Sequence, residues 1–340
     1  PTLSVIVPAC NEEETVEPAM RSLLGLDYPG LEIVAVDDRS TDRTGEILER
    51  LAAENTRLRV LHLCELPPGW LGKNHALLRG SEQASGEWLL FTDADVHFAP
   101  DSLRRAAAVA RSQQCDHLVA FPRVVTETFW ERSFVSLFLV LFNFRFRCWQ
   151  ASWKWAPGYT GVGAFNMVRA EAYRRVGGHA PLRMEVADDV KLGKLMKRSG
   201  FRACLVLAEE LIHVRWAVGL RGCIQVLTKN AFAGVSYSWV SLAGSILSLV
   251  VAGWWPVIGL FVGPMVPRLL CGATLLAMLF LATFLRPGSR VPGWYALTWP
   301  LSAVLFCYIL VRSAWLAERQ GGIYWRGTFY SLSELRKHLT

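Results

Sequence analysis

The chain is 340 residues long; Ala, Val, Ile, Leu, Met, Phe, Trp, Tyr and Cys make up 52% of it, and charged residues only 19%. Average soluble chains reach roughly 45–50% apolar with glycine included and about 25% charged, so disorder, a collagen repeat and a disulfide miniprotein are excluded and an ordinary soluble enzyme fits poorly. The net charge of +7 is uneven: beyond Lys229 lie eight basic and two acidic residues, leaving 28 basic and 27 acidic in the first 230. No dense Lys/Arg stripe marks that near-neutral part, so no nucleic-acid partner is expected, whereas basic residues flanking apolar spans suit a membrane protein. The eight cysteines are scattered with no CxxC pair, which predicts free thiols in a reducing compartment rather than zinc ligands.

Residues 3–230 read as alternating strands and helices. Short apolar runs at 3–7, 31–36, 59–63 and 88–91 alternate with helical stretches at 13–24, 41–54 and 75–84, with Ser40 placed to cap the second helix. Such alternation predicts an α/β domain with a mostly parallel sheet and right-handed crossovers. The ligand crevice of such a sheet lies at the carboxyl ends of its strands, and polar residues cluster at three of those ends: Asn11-Glu12-Glu13, Asp37-Asp38 and Asp93-Ala94-Asp95.

From Ala231 to Pro267 no residue is charged, and 269–285 and 291–311 are further uncharged runs. A bilayer crossing takes about 20 apolar residues, which predicts a membrane region over 231–317 with spans at 240–262, 269–285 and 294–311, followed by a basic tail at 318–340. Seven of the 14 tryptophans fall after residue 230, several at span edges, as aromatic belts do. The uncharged stretch 133–144 is too short to cross; flanked by Arg and Trp, it is expected to lie as a helix in the membrane surface, the alternative being a core helix of the catalytic domain. Three full crossings place the basic tail opposite the catalytic domain, against the positive-inside tendency, unless one run is re-entrant and broken at Pro256 or Pro300. The chain begins one residue before the first strand with no Met, so a further N-terminal anchor is left open.

Two carboxylates in a turn after a strand, as in Asp93-Ala94-Asp95, can converge on Mg²⁺ or Mn²⁺ shared with substrate phosphates. Asp37-Asp38 closes an earlier strand, where it can accept hydrogen bonds from a nucleotide or serve as a helix cap with a surface acid. Asp188-Asp189 opens a helix, as favourable acids at an N-terminus or as a general base beside an acceptor hydroxyl. Lys73 precedes a helix, where it can meet a diphosphate. No P-loop, GxGxxG fingerprint, GxSxG elbow or HExxH helix occurs in the chain.

Together these motifs resemble family 2 glycosyltransferases of GT-A fold over residues 3–230: the strand ending at Pro8 with Asn11-Glu12, the Asp37-Asp38 turn to Asp42, Gly72-Lys73, Asp93-Ala94-Asp95, Gly161-Val162-Gly163 to Arg169, Val176-Gly177-Gly178 and Asp188-Asp189-Val190-Lys191-Leu192. The resemblance implies a Rossmann-like GT-A catalytic domain over 1–230 followed by C-terminal transmembrane helices. It implies donor-nucleotide contacts from Pro8, Asn11, Glu12, Asp37, Asp38, Lys73 and Asp93, with Asp38 on the base and Asp37 beside it. A divalent metal, Mg²⁺ or Mn²⁺, falls to Asp95 with Asp93. Asp189 is then the catalytic base, Asp188 standing where Glu is usual, and Gly161, Gly163, Asp188, Arg215 and Trp216 lie on the acceptor and diphosphate side. Processive synthases carry QxxRW; here Ile212-His213-Val214-Arg215-Trp216 keeps only its end.

The apolar spans followed by Gly321-Gly322-Ile323-Tyr324-Trp325-Arg326-Gly327 are similar to bacterial hopanoid-associated and carotenoid-acid glycosyltransferases. That likeness implies transfer from a nucleotide sugar, UDP-linked, to a lipid acceptor at the bilayer of a bacterial inner membrane, multi-pass, with the catalytic domain cytoplasmic. The rival readings are a polysaccharide synthase of the same family and an inactive membrane scaffold.

Overall fold

The computed structural model describes residues 1–284 and 289–337; the end of the second predicted span at 285 and the last three residues of the tail lie outside them. The chain divides into two compact units, residues 1–124 with 146–215, and 125–145 with the chain from 216 onward. The division into units falls at 215/216, and an excursion from the middle of the first unit joins the second.

In the first unit, β1 (Leu3–Ala9), α1 (Val16–Leu24), β2 (Leu31–Asp38), α2 (Thr44–Glu54), β3 (Leu58–Leu63), α3 (Gly72–Gln83) and β4 (Trp88–Phe91) alternate as expected. Next come β5 (Val96–Phe98), α4 (Ser102–Ser112), β6 (His117–Phe121) and β7 (Arg123–Val124). After α5 (Phe129–Phe146) the chain returns with β8 (Asn166–Arg169), α6 (Ala170–Arg175), α7 (Asp188–Arg198), β9 (Ala203–Leu207) and β10 (Ile212–Val214). The main sheet has the order β3-β2-β1-β4-β8-β6-β9. Its pairs are parallel except for β8, which runs antiparallel to both neighbours, with Phe91 opposite Asn166. β1 and β2 are continuous apolar runs because both their faces are covered. α3 lies so close to the sheet that a Cβ at Gly80 would come within 2.6 Å of Ile6 Cγ2.

The loops after β1 and β2 are stitched together. Asn11 and Arg39 both adopt left-handed backbone; the Asn11 N–H donates to Ser40 Oγ at 3.1 Å, and Asn11 Oδ1 accepts from the Thr41 N–H at 2.8 Å. Ser40 is therefore not the cap of α2, which begins four residues later at Thr44; Asp42 accepts from the Thr44 and Glu13 N–H groups instead.

The second unit contains α5, α8 (Gly219–Gly234), α9 (Trp239–Gly259), α10 (Met265–Phe284), α11 (Trp299–Gln320), a hairpin of β11 (Gly322–Trp325) and β12 (Thr328–Ser331), and α12 (Leu332–Lys337). Among the described residues three helical stretches are long and apolar enough to cross a membrane: Trp239–Gly259, Met265–Thr283 and Gly293–Gln320. Pro256 lies inside α9 and Pro300 in the first turn of α11, so neither breaks its helix. The stretch 133–144 forms the middle of α5, whose Leu137 and Val140 pack with Ala282, Ala296, Trp299 and Ala303. Charged residues do not end this helix because Glu131 sits in its first turn, buried, accepting the N–H groups of Glu127, Thr128 and Gly219.

Candidate active site

Because β8 is antiparallel to β4, the residues preceding Asn166 lie at the edge where β4 ends. That edge gathers Asp93, the 161–163 turn and the start of α7. Lys73, Asp93, Gly163, Asn166, His179, Asp188 and Asp189 line one cavity there. Asp188 and Asp189 both border it although they are successive helical residues. Both belong to the first turn of α7, where side chains lean back toward the helix N-terminus.

Lys73 is the hub. Its Nζ lies 2.8 Å from Asp93 Oδ1 and 3.5 Å from Asp188 Oδ1. Burial alone would lower its pKa, but Asp188, Asp93 and Asp189 outweigh that and hold the ammonium well above its ordinary value. Asp188, 4% exposed, is pushed up to about 7 by burial, with Asp189 and Asp93 adding to the rise against the pull of Lys73. Burial also raises Asp189, against Lys73 and the N–H groups of Val190, at 2.8 Å, and Gly163.

The glycines at 161 and 163, and Gly193 on α7, are required by close approach. A Cβ at Gly161 would stand 1.8 Å from the Asp189 carbonyl oxygen, one at Gly163 would stand 2.3 Å from Asp93 Oδ2, and one on α7 at Gly193 would stand 1.8 Å from the Thr160 carbonyl oxygen. The 160–163 segment is thereby pressed between α7 and Asp93, which no side chain at those positions would permit.

At the end of β2, Asp38 is buried against the start of α3, where a Cβ at Gly72 would come 2.3 Å from its Oδ2. Arg39 forks onto it, Nε to Oδ1 at 2.8 Å and a terminal nitrogen to Oδ2 at 3.1 Å. Asp37 is turned to its own loop, accepting from the Ser40 N–H at 3.2 Å and facing His62 Nδ1 at 2.9 Å. Pro8 sits within β1 opposite Val36, and Glu12 is held by its N–H on Thr44 Oγ1 at 2.8 Å. Arg215 follows β10 and ends the first unit; Trp216 opens the second, stacked on Phe138 with ring centroids 4.6 Å apart. Neither lines the cavity.

Three contributors escaped the motif reading. Arg39 is the partner of Asp38. Asn166 donates to the Asp189 carbonyl at 3.0 Å and accepts from His117, whose ring burial pushes down to about 4. His179, pushed down to about 3 by burial and then by Lys73, is neutral. The Tyr173 hydroxyl accepts from the His179 N–H at 3.1 Å and is hydrogen-bonded to His179 Nδ1 at 2.7 Å, which holds the ring in place. The only sequence signal for His179 is its place directly after Gly177-Gly178.

Among the described residues no three His, Cys, Asp or Glu side chains converge into a protein-only metal cage. The donor set fits a different use. Asp95 is pushed up to about 7 by burial, then by Asp93 and Glu12, an excess of negative charge that a divalent cation would relieve. Such a cation is commonly held by one or two carboxylates and completes its shell with substrate phosphates and water.

The mostly parallel sheet with its carboxylates gathered at one edge is the architecture of sugar-transferring enzymes of GT-A fold. The pattern of Glycosyl transferase family 2 matches residues 4–177, and the chain belongs to that family. Over 98% of its length it is 23% identical to the 4,4'-diaponeurosporenoate glycosyltransferase of Staphylococcus aureus, of which it covers 89%. Over 105 residues, 30% of this chain and 22% of the relative, it is 37% identical to the beta-monoglucosyldiacylglycerol synthase of a Nostoc species. Among solved structures, the mannosyltransferase PcManGT from Pyrobaculum calidifontis, in complex with GDP-Man and Mn²⁺, matches with a TM-score of 0.56 at 21% identity, over 94% of this chain and 87% of that one. That likeness is one of fold.

Proposed function

We propose that the protein is a membrane-anchored inverting glycosyltransferase that moves a sugar from a UDP-linked donor to a hydroxyl or carboxyl group of a polyisoprenoid-type lipid. The observation that carries this is Asp189 sharing one cavity with Lys73, Asp93 and the buried Asp188, in a chain whose apolar helices are long enough to hold it in a bilayer. The names of the diaponeurosporenoate glycosyltransferase and monoglucosyldiacylglycerol synthase relatives support the lipid acceptor.

Asp189 takes the proton of an acceptor hydroxyl as the oxygen attacks the anomeric carbon, and the bond to the donor diphosphate breaks with its electron pair leaving on the diphosphate. The raised pKa of Asp189 strengthens it as a base while its neighbour Lys73 keeps the site from accumulating three uncompensated charges. Asp38, steadied by Arg39, holds the nucleotide base at the start of α3. Asp95 with Asp93 would hold Mg²⁺ or Mn²⁺, which when bound stabilises charge on the diphosphate. The catalytic unit faces the cytoplasm, where nucleotide sugars are found, and the helices sit in the inner membrane.

The test is transfer of label from a panel of radioactive UDP-sugars by the full chain in proteoliposomes containing extracted bacterial lipid. Label in the organic phase is expected; label found only in water-soluble polymer, or no transfer at all, overturns the proposal.

A further inference from the structure

The segment 147–158, between α5 and the glycine turn of the site, lies outside the residues that line the cavity, yet it is a built object. Gln150 N–H donates to the Arg147 carbonyl at 2.8 Å, Ala151 to Cys148 at 3.0 Å, Trp153 to Gln150 at 3.0 Å and Ala156 to Trp153 at 3.2 Å, and the Tyr159 N–H closes it on Phe146 at 3.1 Å. Lys197 Nζ donates to the carbonyls of Gln150 at 2.7 Å, of Ala151 at 3.2 Å, and of Gly158. A Cβ at Gly158 would stand 2.3 Å from the Arg147 carbonyl oxygen. This folded loop displays Trp149, Trp153 and Trp155, the last 83% exposed. Trp153 and Trp155 stack at 5.5 Å, with Arg147 and Lys154 exposed among them. No acidic residue occurs between Glu131 and Glu171.

Exposed tryptophans gathered on one loop form an apolar patch of the kind that marks an interaction surface. Tryptophan mixed with Lys and Arg is the composition of a bilayer interface, and the absence of acids suits anionic headgroups. We infer that loop 147–158 seats the catalytic unit on the headgroup region of an anionic bilayer. Lys197 belongs to α7, eight residues beyond Asp189, about 12 Å along a helix. The same helix therefore fixes the loop and the proposed base, so a lipid acceptor is met at a set height above the membrane. The seating stands on the loop alone; its use in presenting the acceptor rests on the function proposed above.

The test uses the full chain in nanodiscs of phosphatidylcholine and phosphatidylglycerol, with Trp155 replaced by the photo-cross-linking residue p-benzoylphenylalanine and, as control, the same replacement at exposed Arg57. Illumination followed by mass spectrometry is expected to give a phospholipid adduct at 155 and none at 57. No lipid adduct at 155, or an adduct there suppressed by a soluble oligosaccharide, overturns the inference, the latter by showing a glycan platform. In a second arm, Trp153→Ala with Trp155→Ala is expected to raise the apparent KM for acceptor in vesicles by about tenfold, equivalent to about 1.4 kcal/mol, with donor hydrolysis unchanged; equal loss of both activities overturns the seating role. If the acceptor is not a lipid, transfer to lipid is missing in the wild type while the adduct at 155 remains.

Discussion

Asp189→Asn is the sharpest test of the proposed chemistry. The substitution keeps shape: asparagine Oδ1 can still accept the Val190 N–H that Asp189 Oδ1 accepts at 2.8 Å, and the backbone carbonyl bonded by Asn166 is untouched. What is lost is the capacity to take a proton. General-base catalysis contributes typically about 10²–10⁴-fold, or roughly 3–5 kcal/mol at the barrier, so kcat is expected to fall by that factor while the Kd for the donor nucleotide, held around Asp38, stays within about twofold. The pH profile adds a sign. The base works as its anion, and burial holds Asp189 above the ordinary carboxylate range, so wild-type kcat should fall as pH drops through that raised value. The residual rate of Asp189→Asn should lack this limb. Asp188→Asn is the control. It takes a charge from beside Lys73 at 3.5 Å but keeps an amide oxygen there and leaves Asp93 at 2.8 Å; because folding already disfavours the Asp188 anion, stability near neutral pH should not fall, and the effect on kcat should be the smaller one. Single-turnover transfer and isothermal titration with UDP measure both quantities. A loss under tenfold in Asp189→Asn, or a larger kcat loss in Asp188→Asn, refutes deprotonation of a hydroxyl at Asp189.

Two further outcomes are expected. Excess EDTA and Asp95→Ala should each abolish transfer with the circular-dichroism spectrum of the protein unchanged; full turnover in EDTA would remove the cation from the scheme. Gly193→Ala places a methyl 1.8 Å from the Thr160 carbonyl oxygen and should lower stability by about 1–3 kcal/mol through overpacking, read as a drop in Tm of the detergent-solubilised chain; an unchanged Tm would mean that α7 and the 160–163 segment are not pressed together as described.

What could be read from the residues alone follows the range of the interactions involved. β1, β2 and β4 are legible because a strand covered on both faces must be a continuous apolar run, and Asp38, Asp93 and Asp95 are legible because they stand at or just beyond the end of one. Ser40 misled because a serine before a helical stretch is a local signal, while its actual partner, the Asn11 N–H, is 29 residues away. His179, Asn166 and Arg39 carry no periodic signal; β8 must first insert antiparallel between β4 and β6 before Asn166 can bridge His117 and Asp189. The boundary shows the same limit. Composition changes only at 231, where charges stop, but packing changes at 216, because α8 still carries Arg221 and Lys229 on a helix whose Cys223, Leu227, Ala231 and Phe232 are buried within the second unit. The stretch 133–144 is ambiguous for a related reason: twelve uncharged residues are compatible with a membrane surface or with a helix–helix core, and what decides the packing of α5 is a set of polar contacts, Ser133 Oγ with Thr298 at 2.6 Å and with Ser302 at 2.7 Å, between residues more than 160 positions apart. Polar groups in an apolar setting must find partners, so it is the few polar residues of the apolar segments, rather than the apolar ones, that specify which helices meet.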